Sequence, residues 1–408
     1  MILIKTHILN PLNRFETEFR KNVFLTIKGN RIHSLSDQPD DDHWEDYTHC
    51  VCLPGMIDAH VHLSQFRIRG KHSSELLPWL NEHVFPEEAR SSEPEYADVI
   101  AREFFQDLIR KGTTTSVIYT APFFSACDKA FRIAEELGVR ALIGAALMDV
   151  NSPEGLQQKT DTAFQESVDL YHEWNGKNEL LEYIFSPRFA PVCSPRLMKL
   201  TGDFASRNNA YIQTHLSENL EEIKLVRSLY PEVSSYTEVY LKNNLLGPKT
   251  LLGHAIHLSD SELEIIKKTG SKVIHCPDSN FFLKSGQFPW SDLLRFEIPF
   301  ALGSDVGAGT DLSMFQVMKM ANYRQDEYIV SPEEAFYLAT RGGAEAIGKD
   351  DQIGAIEVGK SADLVFADCR DPQTRESSDI LSELMYLETN QKINTVFVNG
   401  KIKFQRAR

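Results

Sequence analysis

The stretch LPGMIDAHVHLSQF, residues 53–66, decides the fold. Its central run, GMIDAHVHL (55–63), is a nearly continuous apolar segment of strand length, the pattern of a strand covered on both faces. Seven runs of the same kind follow: TTTSVIYT (113–120), RALIGAALMD (140–149), LLEYIFSPRF (180–189), AYIQTHL (210–216), TLLGHAIHL (250–258), SKVIHCP (271–277) and IPFALGSDV (298–306). Helix-like stretches separate them. YADVIAREFFQDLIRKG ends at Gly112, SACDKAFRIAEELG at Gly138 and SDSELEIIKKTG at Gly270, each glycine placed as a C-cap. Ser259 and Asp260 are cap candidates at the start of the last. Apolar strands alternating with helices imply a parallel sheet covered by helices. Eight such units predict an α/β fold, a closed (β/α)8 barrel of the TIM type.

Outside this run of units the pattern changes. Residues 1–53 carry short strands, MILIKTHIL and NVFLTIKGNRIHSL, separated by polar turns and the acidic loop DQPDDDHWED. Residues 352–408 carry DLVFAD and INTVFVNGKIKF, where Asn399-Gly400 is a hairpin signal. The expected division is a catalytic barrel over 54–351 and one small, discontinuous β-sandwich-like domain from 1–53 plus 352–408.

The composition suits an ordinary globular protein, with 42% hydrophobic and 25% charged residues among 408. There is no fixed-period repeat and no low-complexity tract. No apolar run reaches the ~18 residues of a membrane span. The opening MILIKTHILNPLNR lacks the basic start and apolar stretch of a signal peptide, so a cytoplasmic protein is expected. Six scattered cysteines without a CxxC pair predict reduced thiols. A formal charge of -15 disfavours a nucleic-acid partner, because phosphate binding relies on clustered Lys and Arg. It leaves a small neutral substrate open.

His60 and His62 lie two apart on the first barrel strand, so both imidazoles share one face. A bare H-x-H is equally two polar residues at a strand end. Its place argues otherwise: the C-terminal end of a barrel strand is where this architecture builds active sites. His215 ends the fifth run, His254 sits late in the sixth, Asp305 ends the eighth and Arg188 ends the fourth. Taken singly, each has a structural explanation, a hydrogen-bonded His or a capping Asp. At matching ends of different strands they predict a metal site. Three His and one Asp suit Zn2+ or Fe2+ acting as a Lewis acid, with a position left for water.

These residues stand in LPGMIDAHVHLSQF (53–66), IQTHLSEN (212–219), LLGHAIHLSD (251–260) and LGSDVGAGT (302–310), which resemble the amidohydrolase superfamily. The likeness spans nearly the whole chain, including GKSADLVFAD (359–368). LPWLNEHVFPEEAR (77–90), SPRFAPVCSPRLM (186–198) and HCPDSNFFLKSGQFP (275–289) are similar to barrel-type guanine deaminases within it. The resemblance implies one Zn2+ per chain on His60, His62, His215 and Asp305. It implies an acid/base role for Glu218, a water-facing role for His254, and a catalytic role for Asp305 besides ligation. Substrate contacts fall on Gln65, Arg188 and Phe189, with His215 and Glu218 beside them. It also implies a homodimer acting on guanine. Two departures stand out: SDVGAG in place of TDVGGG, and Asp311 where a small residue is expected, which would alter the pocket rim.

The chemistry follows from these groups. A metal held by such ligands lowers the pKa of water from near 16 to roughly 7. Glu218, three residues after His215, can protonate a ring nitrogen and pass the proton on. Its spacing fits as well a helix N-terminal carboxylate in SENLEEIKLV; the resemblance favours catalysis. Gln65 offers a donor and an acceptor, Arg188 a donor fork, and Phe189 a stacking face, against the plainer reading of a surface Gln, an ion pair and a core Phe. Arg188 stands where two-metal relatives carry a bridging Lys, which argues for one metal. His257 and His275 are expected to be structural. Trp79 and Phe85 are candidates for a lid or for core, and Cys193 and Cys276 for small buried hydrophobes. His43-Trp44-Glu45 matches the H-x-E of another zinc deaminase family in letters only, since no PCxxC exists in the chain. Guanine deamination leads. Another purine, a pterin or an s-triazine is the alternative substrate, a two-metal cyclic-amide hydrolase a further one, and an inactive scaffold would have lost ligands that are all present here.

Overall fold

The computed structural model describes residues 1–73, 76–326, 328–387 and 392–407. β1 (Ile2–Asn13) and β2 (Glu16–Lys28) pair antiparallel, and β3 (Arg31–Ser36) continues the meander. β4 (Glu45–Pro54) lies parallel to β1. The sequence pattern does not mark β4, because its first residues continue the acidic turn. Its burial at Tyr47 and Cys50 to Leu53 comes from strands far away in the chain. Only Gly55 separates β4 from the first barrel strand. A Cβ there would stand 2.0 Å from Thr114 Oγ1, so the crossing between sheets requires glycine.

All eight expected barrel strands form: β5 (Met56–His62), β6 (Thr113–Thr120), β7 (Arg140–Leu147), β8 (Leu181–Pro187), β9 (Tyr211–Leu216), β10 (Thr250–His254), β11 (Lys272–His275) and β12 (Phe300–Leu302). They pair parallel in sequence order. Asp305 N donates to His60 O and His62 N to Val306 O, each at 2.8 Å, which brings the chain after β12 back to β5 and closes the ring. Helices follow the strands, and Gly138 and Gly270 end theirs at φ 64 and 74, the left-handed cap that the pattern predicts. Every strand contributes to one buried cluster, including Ile57, Val117, Leu142, Ile184, Leu251 and Ile274, joined by Ile347 and Ile353. The barrel interior is therefore packed, and polar chemistry is left to the strand ends. After β5 the chain makes short helical turns through Ser92 before the long helix Pro94–Arg110, and these turns bury Leu76, Trp79, Val84 and Phe85.

β13 (Leu364–Asp368) pairs with β4, followed by β14 (Ile393–Val398) and β15 (Lys401–Gln405). One seven-stranded sheet results, ordered β15-β14-β13-β4-β1-β2-β3, with its own apolar core. Asn399 and Gly400, at φ 51 and 74, make the expected turn. The helix Ser377–Tyr386 lies between β13 and β14, in a segment expected to be strands. Its buried Ile380, Leu381, Leu384 and Met385 follow helical spacing and form part of the large core cluster. Arg140 joins sheet and barrel through a buried ion pair to Asp363 (2.9 Å). Among the described residues no helix is long and apolar enough to cross a membrane.

Candidate active site

Five strand-end side chains converge at the mouth of the barrel. His62 Nε2 lies 3.2 Å from His215 Nε2 and 3.3 Å from Asp305 Oδ1. His60 Nε2 is 3.4 Å from the same oxygen, and His254 Nε2 is 3.9 Å from Asp305 Oδ2. His60, His215, His254 and Asp305 each place a ligand atom within 4.8 Å of the others. His254 thus stands in the tight group, with His62 beside it. The Nε2 atom of His60 is buried with no hydrogen-bond partner. A buried nitrogen left unpaired beside a carboxylate fits a divalent cation. The hydrogen bonds behind the rings separate their roles. His215 Nδ1 donates to Arg188 O at 2.7 Å, which leaves a lone pair on Nε2 facing the cluster. His254 Nδ1 accepts from Asn280 Nδ2 at 2.9 Å, which leaves an N–H on Nε2.

Local structure explains this convergence. Buried Asp58 accepts from Ser304 N at 2.9 Å and from His60 N at 3.3 Å, tying β5 to the chain after β12. A Cβ on Gly303 would stand 2.7 Å from His60 Cβ, so the imidazole owes its place to a missing side chain. Ser217, His254, Ala255 and Asp305 hold left-handed φ of 48, 66, 50 and 48, a backbone that costs about 1–3 kcal/mol per residue and that gathers where function needs it. Burial would raise the Asp305 carboxyl, but the His60 and His62 rings, 3.4 and 3.3 Å from Oδ1, and the field of His254 hold it well below the usual range. Burial pushes His62 and His215 down, and His254 down to about 3, so these rings stay neutral.

Glu218 is 4% exposed, with Oε2 3.5 Å from His254 Nε2. Burial, then the Asp305 and Glu222 carboxyls, raise it well above the ordinary glutamate value, the direction a proton donor needs. The helix-cap alternative does not hold. Asn219 caps the helix Leu220–Leu229 and Glu222 completes the capping box, accepting from the Glu218 and Asn219 amides at 2.9 and 3.2 Å. Ser285 Oγ donates to Glu218 Oε1 at 3.0 Å. His257 Nε2 donates to Ser285 O at 2.8 Å, a structural role as expected.

His62, His215, Glu218, Glu222, His254 and Asp305 line one cavity together with Gln65, Arg188 and Phe189, and Trp79, Leu80 and Leu283 are among its apolar lining. Trp79 therefore belongs to the lid; Phe85 does not line the cavity and packs under the Arg188 guanidinium, 5.4 Å away. Asp311 corrects an expectation. It pairs with Lys111 and accepts from Ser313 N at 2.8 Å, and it is not among the residues that line the cavity. His275 stacks on Phe288 at 3.9 Å. Cys193 and Cys276 are buried, and burial pushes the Cys193 thiol up to about 12. Sequence reasoning missed Glu88, which accepts from both Gln65 Nε2 (2.9 Å) and Arg188 Nη1 (2.6 Å). It also missed Asn280 and Ser285. All three stand in the segments similar to guanine deaminases, but no regular spacing ties them to the histidines.

The model of the Amidohydrolase family matches residues 51–403. The guanine deaminase of Escherichia coli (strain K12) is 34% identical over 379 residues, covering 90% of this chain and 86% of that protein. The Rattus norvegicus guanine deaminase is 33% identical over 376 residues, covering 86% and 83%. The crystal structure of guanine deaminase from C. acetobutylicum with bound guanine in the active site superposes with a TM-score of 0.94 at 31% identity, over 99% of this chain and 100% of that one. This chain belongs to the amidohydrolase family, alongside the guanine deaminases.

Proposed function

We propose that this chain hydrolyses guanine to xanthine and ammonia, using one Zn2+ held by His60, His62, His215 and Asp305. The observation that carries the reading is the meeting, in one cavity, of a His/Asp cluster, the buried Glu218 carboxyl and a wall of neutral and donor groups suited to a base. Likeness to guanine deaminases over most of the chain supports the substrate. A divalent cation at the cluster acidifies water, supplying the nucleophile at neutral pH. Asp305, held ionised, takes the proton that the attacking water loses. His254 aims that water through its Nε2–H. Glu218 protonates the ring nitrogen next to the carbon under attack; the proton held by Asp305 then passes to the amine, the C–N bond breaks to release ammonia, and the hydroxyl proton left on the ring carbon returns to Glu218 as the new carbonyl forms. Arg188 donates to the ring carbonyl, Gln65 bonds the neighbouring edge, and Phe189 offers a stacking face.

Arg188 supports the single metal, since its guanidinium turns away to pair with Glu88 where a second ion would need a ligand. The reading extends to a cytoplasmic homodimer, and to the division of the chain at 1–53 plus 352–408 and 54–351. Ammonia release from a panel of purines, pterins and s-triazines by the zinc-loaded chain tests the activity. Guanine is expected to be turned over and adenine left untouched; preference for adenine, a pterin or a triazine overturns the assignment. Metal analysis is expected to give one equivalent per chain, and sedimentation a dimer.

A further inference from the structure

Glu88 stands on no strand end, yet it joins the two side chains that read the base. It lies in the short helix Phe85–Ala89, 1% exposed, with Oε1 accepting from Gln65 Nε2 at 2.9 Å and Oε2 from Arg188 Nη1 at 2.6 Å. A carboxylate only accepts, so it dictates which end of the Gln65 amide faces it. The NH2 is turned to Glu88. What Gln65 can offer the cavity it lines is then its carbonyl oxygen. By itself Gln65 could present either end; beside Glu88 it presents one.

We propose that Glu88 is a positioning residue that sets base preference, by holding Gln65 as an acceptor next to the donor Arg188. The pair then matches a ring edge with an N–H beside a carbonyl and refuses a bare ring nitrogen. The inference rests on the guanine reading, since guanine carries that edge. It needs no contact between Glu88 and the base.

Glu88→Gln tests it at nearly constant volume. The amide at position 88 must turn its oxygen to Arg188, because a guanidinium only donates. Its NH2 then meets Gln65, whose own amide turns over and points NH2 into the cavity. The informative probe is 2-aminopurine, which keeps the reacting amine but has a bare ring nitrogen and no carbonyl. In E88Q the guanine KM is expected to rise about 10-fold or more, with kcat within about 3-fold and metal content unchanged. The preference for guanine over 2-aminopurine, read as turnover or competitive inhibition, is expected to fall about 10-fold or more. Glu88→Asp keeps an acceptor and is expected to keep the preference at a raised KM. A merely structural Glu88 would lower activity on both bases alike. An unchanged preference in E88Q, while the wild-type enzyme deaminates guanine, overturns the role alone. If E88Q fails to hold metal or fold, loss of the preference in E88D overturns it. A wild-type chain inactive on guanine overturns the activity and this role together.

Discussion

The two walls of the cavity are built by different means. On one side, His60, His62 and His215 stand on β5 and β9, placed by the pleat of buried strands, and His254 and Asp305 stand at left-handed positions at the end of β10 and just beyond β12. On the other, Gln65 comes from the turn after β5, Glu88 from a short helix, and Arg188 from just beyond β8, 100 residues from the Glu88 it pairs with. Strand ends of a closed barrel are rigid and suit ligands that must stay within tenths of an ångström. A wall made partly of connecting segments can change while the barrel stays the same, which suits the choice of substrate. Damage to the first wall should abolish the chemistry, and damage to the second should redirect or weaken it.

The largest effect is expected at the strand-borne wall. His60→Ala or His215→Ala should lose metal and turnover together, to background, as followed by metal analysis alongside ammonia release. If either variant kept both, the cluster would not be the metal site. Glu218→Gln should keep the metal and lose about 10²–10⁴-fold in kcat, because it preserves shape and removes the proton. Near-normal turnover would return Glu218 to a supporting role. Across the cavity, Arg188→Met should lower kcat/KM for guanine about 10²-fold with metal retained, and Arg188→Lys should recover only part. Intact guanine activity in R188M would move the carbonyl contact elsewhere.

Two smaller tests lie away from the reacting atoms. Arg140→Met leaves the buried Asp363 without its counter-ion at the junction of sheet and barrel, with Ser361 Oγ and Asn399 N still donating to it, so denaturant unfolding should show a loss of about 3–5 kcal/mol with the base preference unchanged. A shift in base preference would show that the junction reaches the cavity. Glu222 gives a pH signature. Burial raises its carboxyl from 4.5 to about 7, so between these values the folded protein keeps a proton that the unfolded chain has released. Stability should therefore fall as pH rises across that window, with Glu222 contributing on the order of 3 kcal/mol, and E222Q should reduce the slope by that share. Parallel Tm-versus-pH curves for the two proteins would refute it.

The barrel was legible because each of its strands is buried on both faces and so carries its own local apolar run; all eight runs, from GMIDAHVHL to IPFALGSDV, become neighbours in order. The strand-end residues were legible for the same reason, since a residue's place on a strand fixes its height in the barrel. β4 and the helix Ser377–Tyr386 were not. β4 is buried by partners from both ends of the chain, and the helical stripe of Ile380 to Met385 sits in a segment whose flanks announce strands. At the site, the sequence alone left Glu218 divided between cap and acid and left the Gln65 amide free to turn.

The sequence by itself determined the alternation of strands and helices, the chemistry available at the strand ends and the family, because these are written in local runs and short motifs. Contacts between distant segments alone settle that Asp311 turns to Lys111, and that His254 presents an N–H where His215 presents a lone pair. The tertiary structure alone brought Glu88 to Gln65 and Arg188. Hydrogen-bond direction depends on which partner stands at about 3 Å, and such partners lie tens to hundreds of residues apart, so no local pattern can record them.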